Sequence, residues 1–98
     1  MGTTKLNLPS VEILEARHSF PCPFTFKVIG TAENNFTARV VSHVRDELQL
    51  DLDPPFSLKS TKGGKHVSVS IAPDCESAQQ VLAIYSRLSE MDGLVMLF

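Results

Sequence analysis

The chain has 98 residues, of which 43% are hydrophobic and 20% are charged, and its formal net charge is −2. These values are typical of one soluble globular domain rather than a disordered chain. The acidic balance argues against attraction of the whole molecule to phosphate backbones. No apolar run reaches the ~20 residues of a membrane-spanning helix. The first ten residues lack a signal peptide's apolar stretch, so we expect a cytoplasmic location and no membrane contact.

Residues 1–19 are predicted to form an N-terminal lead-in, followed by a single domain over residues 20–98. Pro9 and Ser10 favour the start of a short helix, although an extended arm fits the lead-in nearly as well. The prolines after Phe20 end any such helix, because a residue before proline favours extended geometry. Cys22 and Cys75 are far apart in sequence, and we expect free thiols rather than a disulfide or a metal site.

The first half of the domain predicts a strand and then a helix. Residues 24–31 alternate between apolar and other side chains, and Gly30 marks the strand's exit. Asn34 or Asn35 is suited to cap the helix, which runs to about Leu50. Its apolar residues recur at helical spacing, and the stripe is Phe36, Val40, Val41, Val44 and Leu48.

The second half predicts a hairpin, a helix and a last strand. Residues 56–61 form the second strand, with Phe56 and Leu58 on one face, and residues 66–73 form the third. Asp74 is the expected N-cap of a helix over residues 75–91. Its predicted buried stripe is Ala78, Val81, Leu82, Tyr85 and Leu88. Gly93 suits a left-handed helix end, and residues 93–98 form the last strand.

Two right-handed crossovers around a central hairpin predict an α+β, ferredoxin-like βαββαβ sandwich. Its four-stranded antiparallel sheet has the spatial order 4-1-3-2, with both helices on one face. The face without helices, which we call the open face, is predicted to carry small, hydroxylated and mildly basic residues. They are Thr25, Lys27, Ile29, Ser57, Lys59, Thr61, His66, Ser68 and Ser70.

Two stretches resemble motifs of the YbeD-like family of small bacterial proteins, whose role is largely uncharacterised. Residues 20–30, FPCPFTFKVIG, are similar to the family's "FP-x-x-F-x-[FY]-K-V-[IM]-G" opening. Residues 60–70, STKGGKHVSVS, are similar to its "S-[ST]-K-G-x-[YKH]-x-S-V-[ST]" hairpin. The closing residues 93–98 resemble its terminal "V-K-M-V-L" without the lysine. The resemblance covers residues 20–98 and implies a ferredoxin-like fold similar to ACT regulatory domains. A role near lipoate metabolism has been suggested for the family by association, and the family supplies no established catalytic residues.

Several functions hosted by this fold need residues that the chain lacks. Two cysteines are too few for an iron–sulfur cluster. A metal chaperone of this fold needs CxxC after the first strand, and an acylphosphatase-like enzyme needs an arginine there, but residues 30–34 read GTAEN. An RNA-recognition motif needs outward aromatic side chains on the first and third strands, where this chain has Thr25, Lys27, His66, Ser68 and Ser70.

Three candidate ligand sites remain, each with a simpler alternative. The turn formed by Lys62, Gly63, Gly64 and Lys65 is either an anion-binding turn or an ordinary solvated hairpin. Lys27, Lys59 and His66 either converge on the open face as a ligand site or belong to a solvated face or a partner interface. Residues 30–34, including Gly30 and Thr31, are either a plain turn or the loop that encloses a small ligand in ACT-like domains, as the resemblance implies.

Catalysis by a thiol is not expected. Cys75 falls at the predicted helix start, where the helix dipole lowers a thiol's pKa, but no histidine lies next to it in sequence. We expect no cofactor and no catalytic residue.

The favoured function is therefore a non-enzymatic regulatory or protein-interaction module, with a protein, a second copy or a small ligand as partner. Ile29, Val95 and Leu97 would otherwise be wet, so we expect a partner chain or the lead-in to bury them. The alternatives are nucleic-acid binding through Lys27, Lys59, Lys62 and Lys65, and a small enzyme using Lys27, His66 or Cys75.

Overall fold

A computed structural model describes residues 8–61 and 63–98. It contains three helices and six strands within those residues. In chain order they are α1 (Val11–Arg17), β1 (Cys22–Pro23), β2 (Phe26–Thr31), α2 (Phe36–Leu48), β3 (Phe56–Ser60), β4 (His66–Ile71), β5 (Asp74–Cys75), α3 (Ala78–Ser89) and β6 (Leu94–Leu97). None of these helices is long and apolar enough to cross a membrane.

The main sheet has four antiparallel strands in the order β3-β4-β2-β6, which is the order predicted from the sequence. Its inward side chains alternate along β2 and β4. Phe26 lies opposite Ile71 and Val28 opposite Val69, and all four are fully buried. Burying each such side chain contributes roughly 1.5–3 kcal/mol, so these cross-strand pairs fix the sheet register.

The helices α2 and α3 cover the inward face of the sheet. Phe36, Val40, Val41 and Val44 of the predicted α2 stripe are buried, and Leu48 is partly buried. Asn35 occupies the N-cap position, but its side chain accepts no capping hydrogen bond. On α3 the predicted stripe holds except that Ile84, which the sequence reading left out, is fully buried, whereas Leu82 is half-buried.

The lead-in forms a helix rather than an extended arm in its described part. The Ser10 hydroxyl accepts a hydrogen bond from the Ile13 amide at 3.1 Å and caps α1. Leu14 is 3% exposed and lies in the core, and α1 contacts α3. A short chain segment therefore adds a third helix to the packed layer.

The prediction that Asp74 caps the second helix is wrong. Asp74 and Cys75 instead form β5, which pairs antiparallel with β1 in a separate two-stranded sheet. This pairing keeps residues 74–75 extended, and the helix is capped two residues later by Ser77, whose hydroxyl accepts from the Gln80 amide at 3.2 Å. The helix α3 consequently begins at Ala78.

The expectation that Leu97 lies on the outer side of the last strand is also wrong. The register between β2 and β6 shifts at Ile29 and Gly30, which leaves Val95 as an extra residue on β6. Leu97 lies opposite Val28 and packs against the core. Val95 remains 49% exposed and Ile29 is half-buried.

Candidate groove and sheet-face sites

A groove lies between α2 and the edge strand β3, on the helix side of the sheet. We call it the α2–β3 groove, and its volume is ≈ 960 Å³. Phe56 and Leu58 of β3 line it and are 42% and 53% exposed, whereas the neighbouring Val67 is almost buried. The sequence correctly places Phe56 and Leu58 on one face of a strand, but α2 does not cover them.

The position of α2 depends on a close contact at Gly30. A Cβ atom built on Gly30 would overlap the ring of Phe36, which is 2% exposed. The ring therefore lies directly on the β2 backbone, where only glycine leaves room. This contact holds the first turn of α2 over β2, two strands away from β3. It gives Gly30 a packing role, which needs no ligand.

Arg39 fixes the same end of α2. Its Nε donates to the Asn34 carbonyl at 2.9 Å, and its Nη1 donates to the Asp92 carbonyl at 3.0 Å. The guanidinium also lies 5.6 Å from the centre of the Phe36 ring. Arg39 thus joins the loop before α2 to the turn before β6. Sequence reasoning missed this role, because the two carbonyls are far apart along the chain.

Polar groups surround the apolar part of the groove. The loop residues Ala32, Glu33 and Asn34 line it near the start of α2. Farther along α2, Arg45 also lines it, and Nη1 of Arg45 lies 2.7 Å from Oδ1 of Asp53. Both side chains of this pair are well exposed, so the pair contributes only about 0–1 kcal/mol. Breaking this pair therefore costs little free energy.

Most of the predicted ligand residues come together at one end of the sheet, where β2 ends and β4 begins. Thr31 lies opposite His66 in the register of β2 and β4. The Ala32 amide donates to the Lys65 carbonyl at 3.0 Å, so the predicted ligand loop adjoins the hairpin turn. The turn residues Gly63 and Gly64 have φ of +90° and +69° and face open space. The prediction for Lys62 lies outside the described residues.

The other predicted residues do not join this group. Lys27 lies on the open face opposite Ser70, four residues from Thr31 along the strand. Four residues of a strand span about 13 Å. Lys59 lies on β3 opposite Ser68. The residues Lys27, Lys59 and His66 share the open face but belong to three different strands and three different cross-strand rows.

A polar cluster joins α2 and α3 at the helix surface. Arg87 Nε donates to His43 Nδ1 at 3.0 Å, and Arg87 also lies near Glu47 (3.4 Å) and Asp46 (3.9 Å). Burial, and next the charge of Arg87, lowers the pKa of His43 from its ordinary value of 6.5. His43 accepts a hydrogen bond and is therefore neutral in this arrangement. The cluster connects two helices and needs no substrate to account for it.

Cys75 does not have the surroundings expected from the sequence. It lies in β5 rather than at a helix start, and it is fully buried. Burial, the neighbouring Cys22 and Asp74 raise its pKa to about 11. The predicted position at a helix start is therefore wrong, no helix dipole lowers the pKa of this thiol, and the thiol is protonated at neutral pH. Across residues 8–61 and 63–98, no three histidine, cysteine or acidic side chains are grouped as metal ligands.

Comparison with known proteins places these features in a family. A family model described as a protein of unknown function, DUF493, matches residues 15–98. The UPF0250 protein of Sodalis glossinidius is 37% identical over 89 residues, covering 91% of each chain. The UPF0250 protein of Idiomarina loihiensis is 36% identical over 75 residues, covering 76% of this chain and 83% of that protein.

A solved structure has the same fold. The solution structure of protein HP0495 from H. pylori matches with a TM-score of 0.64 at 18% sequence identity, covering 100% of this chain and 94% of that one. The extent of the family match and the identities to its relatives show that this chain belongs to the DUF493 family, also named UPF0250, which is the YbeD-like family of small bacterial proteins that its motifs resemble.

Proposed function

We propose that this protein is a non-enzymatic regulatory module that binds an apolar, extended segment of a protein partner in the α2–β3 groove. The observation that carries the proposal is the exposure of Phe56 and Leu58 beside α2, on the helix side of the sheet. Side chains on that side are normally covered by the helix layer. Here they offer an apolar surface inside a concave site, which is the usual form of a binding site.

The edge strand supports the same partner chemistry. Among the described residues β3 pairs only with β4, so its other edge has backbone donors and acceptors for a further strand. An added strand would gain main-chain hydrogen bonds from this edge, and its alternate side chains would enter the groove. Arg45, Asp53 and Glu33 at the rim supply charges that select among partners.

We also propose that the domain has a ferredoxin-like fold similar to ACT domains and that the protein is cytoplasmic. The strand order and the placement of α2 and α3 on one face support a ferredoxin-like, ACT-like domain. In such a domain a small ligand at the loop after the first strand would control binding, and Ala32 and Glu33 of that loop border the groove. Two free thiols and bacterial relatives support a cytoplasmic location.

A comparison of two exposed apolar positions tests the proposal. Leu58 in the groove and Val95 on β6 are 53% and 49% exposed, so a lysine is tolerated at either position. Tagged wild type, L58K and V95K are each used to recover proteins from the native cell extract, and each bound protein is then tested for direct binding after purification. We expect a partner that binds wild type and V95K equally and binds L58K at least about tenfold more weakly.

Three outcomes distinguish the alternatives. A partner that is lost with V95K and kept with L58K would move the interaction to the β6 edge, and light scattering would show whether that partner is a second copy. Equal binding by all three proteins would refute the groove as the site. Nucleic acid recovered with wild type, in an amount that falls steeply with salt, would instead favour the lysines of the open face.

A further inference from the structure

The two cysteines of the chain face each other across the small sheet. Cys22 of β1 and Cys75 of β5 are direct partners in the antiparallel register. The Phe24 amide donates to the Pro73 carbonyl at 3.0 Å, and hydrogen-bonded pairs recur at every second position of such a ladder. Cys22 and Cys75 are therefore a hydrogen-bonded pair, whose Cα atoms lie about 5.5 Å apart in standard geometry. Disulfides have Cα atoms about 4.4–6.8 Å apart, so the backbone spacing permits a bond. The Cβ atoms of such a pair lie roughly 5 Å apart and must approach to ~3.8 Å, so the closed bond is strained and is easily reduced again.

The two thiols differ in access. Both are free in this structure, but Cys22 is half-buried whereas Cys75 is fully buried. An oxidant in solution therefore meets Cys22 first. Cys75 then lies beside the modified sulfur, on the same face of the ladder, and a second oxidant molecule cannot reach it as easily. This arrangement of one accessible thiol and one resolving thiol favours an internal disulfide over two separate modifications.

We propose that Cys22 and Cys75 form a reversible disulfide that locks β1 onto β5 when a disulfide oxidant such as oxidised glutathione is present. The Cys22 thiolate attacks one sulfur of oxidised glutathione, expels one glutathione thiolate and leaves a mixed disulfide on Cys22. Cys75 then loses its proton to solvent, and its thiolate attacks the Cys22 sulfur and expels the second glutathione. The two cysteines lose two electrons and two protons, and one oxidised glutathione becomes two reduced molecules.

The bond would link β1, which follows the lead-in along the chain, covalently to β5. Helix α1 contacts α3, and β1 follows α1 along the chain. A link from β1 to β5 therefore connects the chain just after α1 to the chain just before α3, and it holds these two contacting helices together. In a reducing compartment the pair is open at rest and closes only under oxidative stress, as cytosolic sensing disulfides do.

The experiment treats the folded, reduced protein with oxidised glutathione and follows its mass over time. Wild type is expected to end at a mass lower by two hydrogen atoms, with proteolysis yielding a peptide that joins Cys22 to Cys75. C75S should stop at the mixed disulfide on Cys22, and C22S should remain unmodified because Cys75 is buried. C75A serves as a second variant, since it avoids burying a hydroxyl at that position.

Two further measurements sharpen the result. Closure of the wild-type mixed disulfide should accelerate about tenfold per pH unit near neutrality, because a buried resolving thiol must first ionise. The oxidised protein should unfold at a higher temperature than the reduced protein, by less than an unstrained disulfide would give. A wild-type protein that stops at the mixed disulfide, or that links two chains through Cys22, would overturn the proposal. Modification of C22S as fast as of wild type would overturn it too.

Discussion

Replacing Gly30 by alanine tests whether the close contact with Phe36 positions α2. The added methyl group would overlap three atoms at the tip of the Phe36 ring, and the ring is buried and cannot swing into solvent. Overpacking of this kind costs about 1–3 kcal/mol, and the lower entropy of the unfolded alanine chain offsets about 0.4–1 kcal/mol. We therefore expect G30A to lower the free energy of unfolding by about 1–2 kcal/mol.

The assay is urea unfolding followed by far-ultraviolet circular dichroism, performed on a double-mutant cycle. F36L replaces the ring with a shorter, branched side chain and by itself should lower the free energy of unfolding by about 1–2 kcal/mol. In G30A/F36L the alanine methyl group occupies the space that the ring has left, so G30A should then cost less than about 0.5 kcal/mol. The glycine at position 64 gives the control, because G64A meets open space and only a positive φ. Its cost of about 1–2 kcal/mol should be unaffected by F36L.

Either of two results would refute a positioning role for the contact between Gly30 and Phe36. If G30A unfolds within about 0.5 kcal/mol of wild type, or if its cost is the same with and without F36L, the Phe36 contact does not determine the choice of glycine. Gly30 would then have to be explained by a close approach of something other than Phe36. Residues 30–34 would in that case again be a candidate ligand loop.

Three further predictions follow from contacts outside the groove. The pKa of His43 is lowered in the folded protein, so the stability contributed by this histidine is complete above pH 6.5 and is lost as the pH falls through its folded pKa. The free energy of unfolding should therefore fall less in H43Q than in wild type between about pH 7 and about pH 5. Equal losses in the two proteins would exclude His43 as the source of the pH dependence. R39A should lower the free energy of unfolding in urea by about 1–3 kcal/mol, because two backbone carbonyls lose a charged donor. R39K should recover only part of this loss. An R39A protein as stable as wild type would contradict the bridging role of Arg39. L14A should cost about 2–4 kcal/mol and increase hydrogen exchange in α1 first, and uniform exchange across the chain would show that α1 is not a separate unit.

The strand order could be predicted because it depends on patterns that the sequence displays directly. The alternation of Val67, Val69 and Ile71 identifies a half-buried strand, and the α2 stripe identifies a helix with one apolar side. Right-handed crossovers then leave few arrangements for four strands and two helices. Much of the core follows from these regularities, although Leu14 and Ile84 do not.

Features that depend on one or two residues were missed. The ladder of β1 and β5 has two residues in each strand, too few for any periodicity, so Asp74 was interpreted as a cap although Ser77 is the cap. The bulge at Val95 reverses the alternation in β6, and a strict period of two therefore placed Leu97 on the wrong face.

The groove could not be predicted for a different reason. Its existence depends on the lateral position of α2 over the sheet, and that position is set by the contact between Gly30 and Phe36. The sequence correctly assigned Phe56, Leu58 and the apolar stripe of α2 to their elements and faces. It contains no direct signal for how far a helix lies from an edge strand, since that distance follows from packing.

The composition of β6 affects how copies of this chain would assemble. Within residues 8–61 and 63–98 this strand pairs on one side only, and its residues 94–97 read LVML without any charge. At the opposite border of the sheet, β3 carries Lys59, a residue type that discourages uncontrolled edge pairing. Contact between two β6 strands would close after one pair around a twofold axis, whereas contact of β6 with β3 would leave a new open border each time and propagate into a filament. If copies of this chain met through their sheets, a lysine on β3 and none on β6 would therefore make a closed pair through β6 easier to form than an endless polymer.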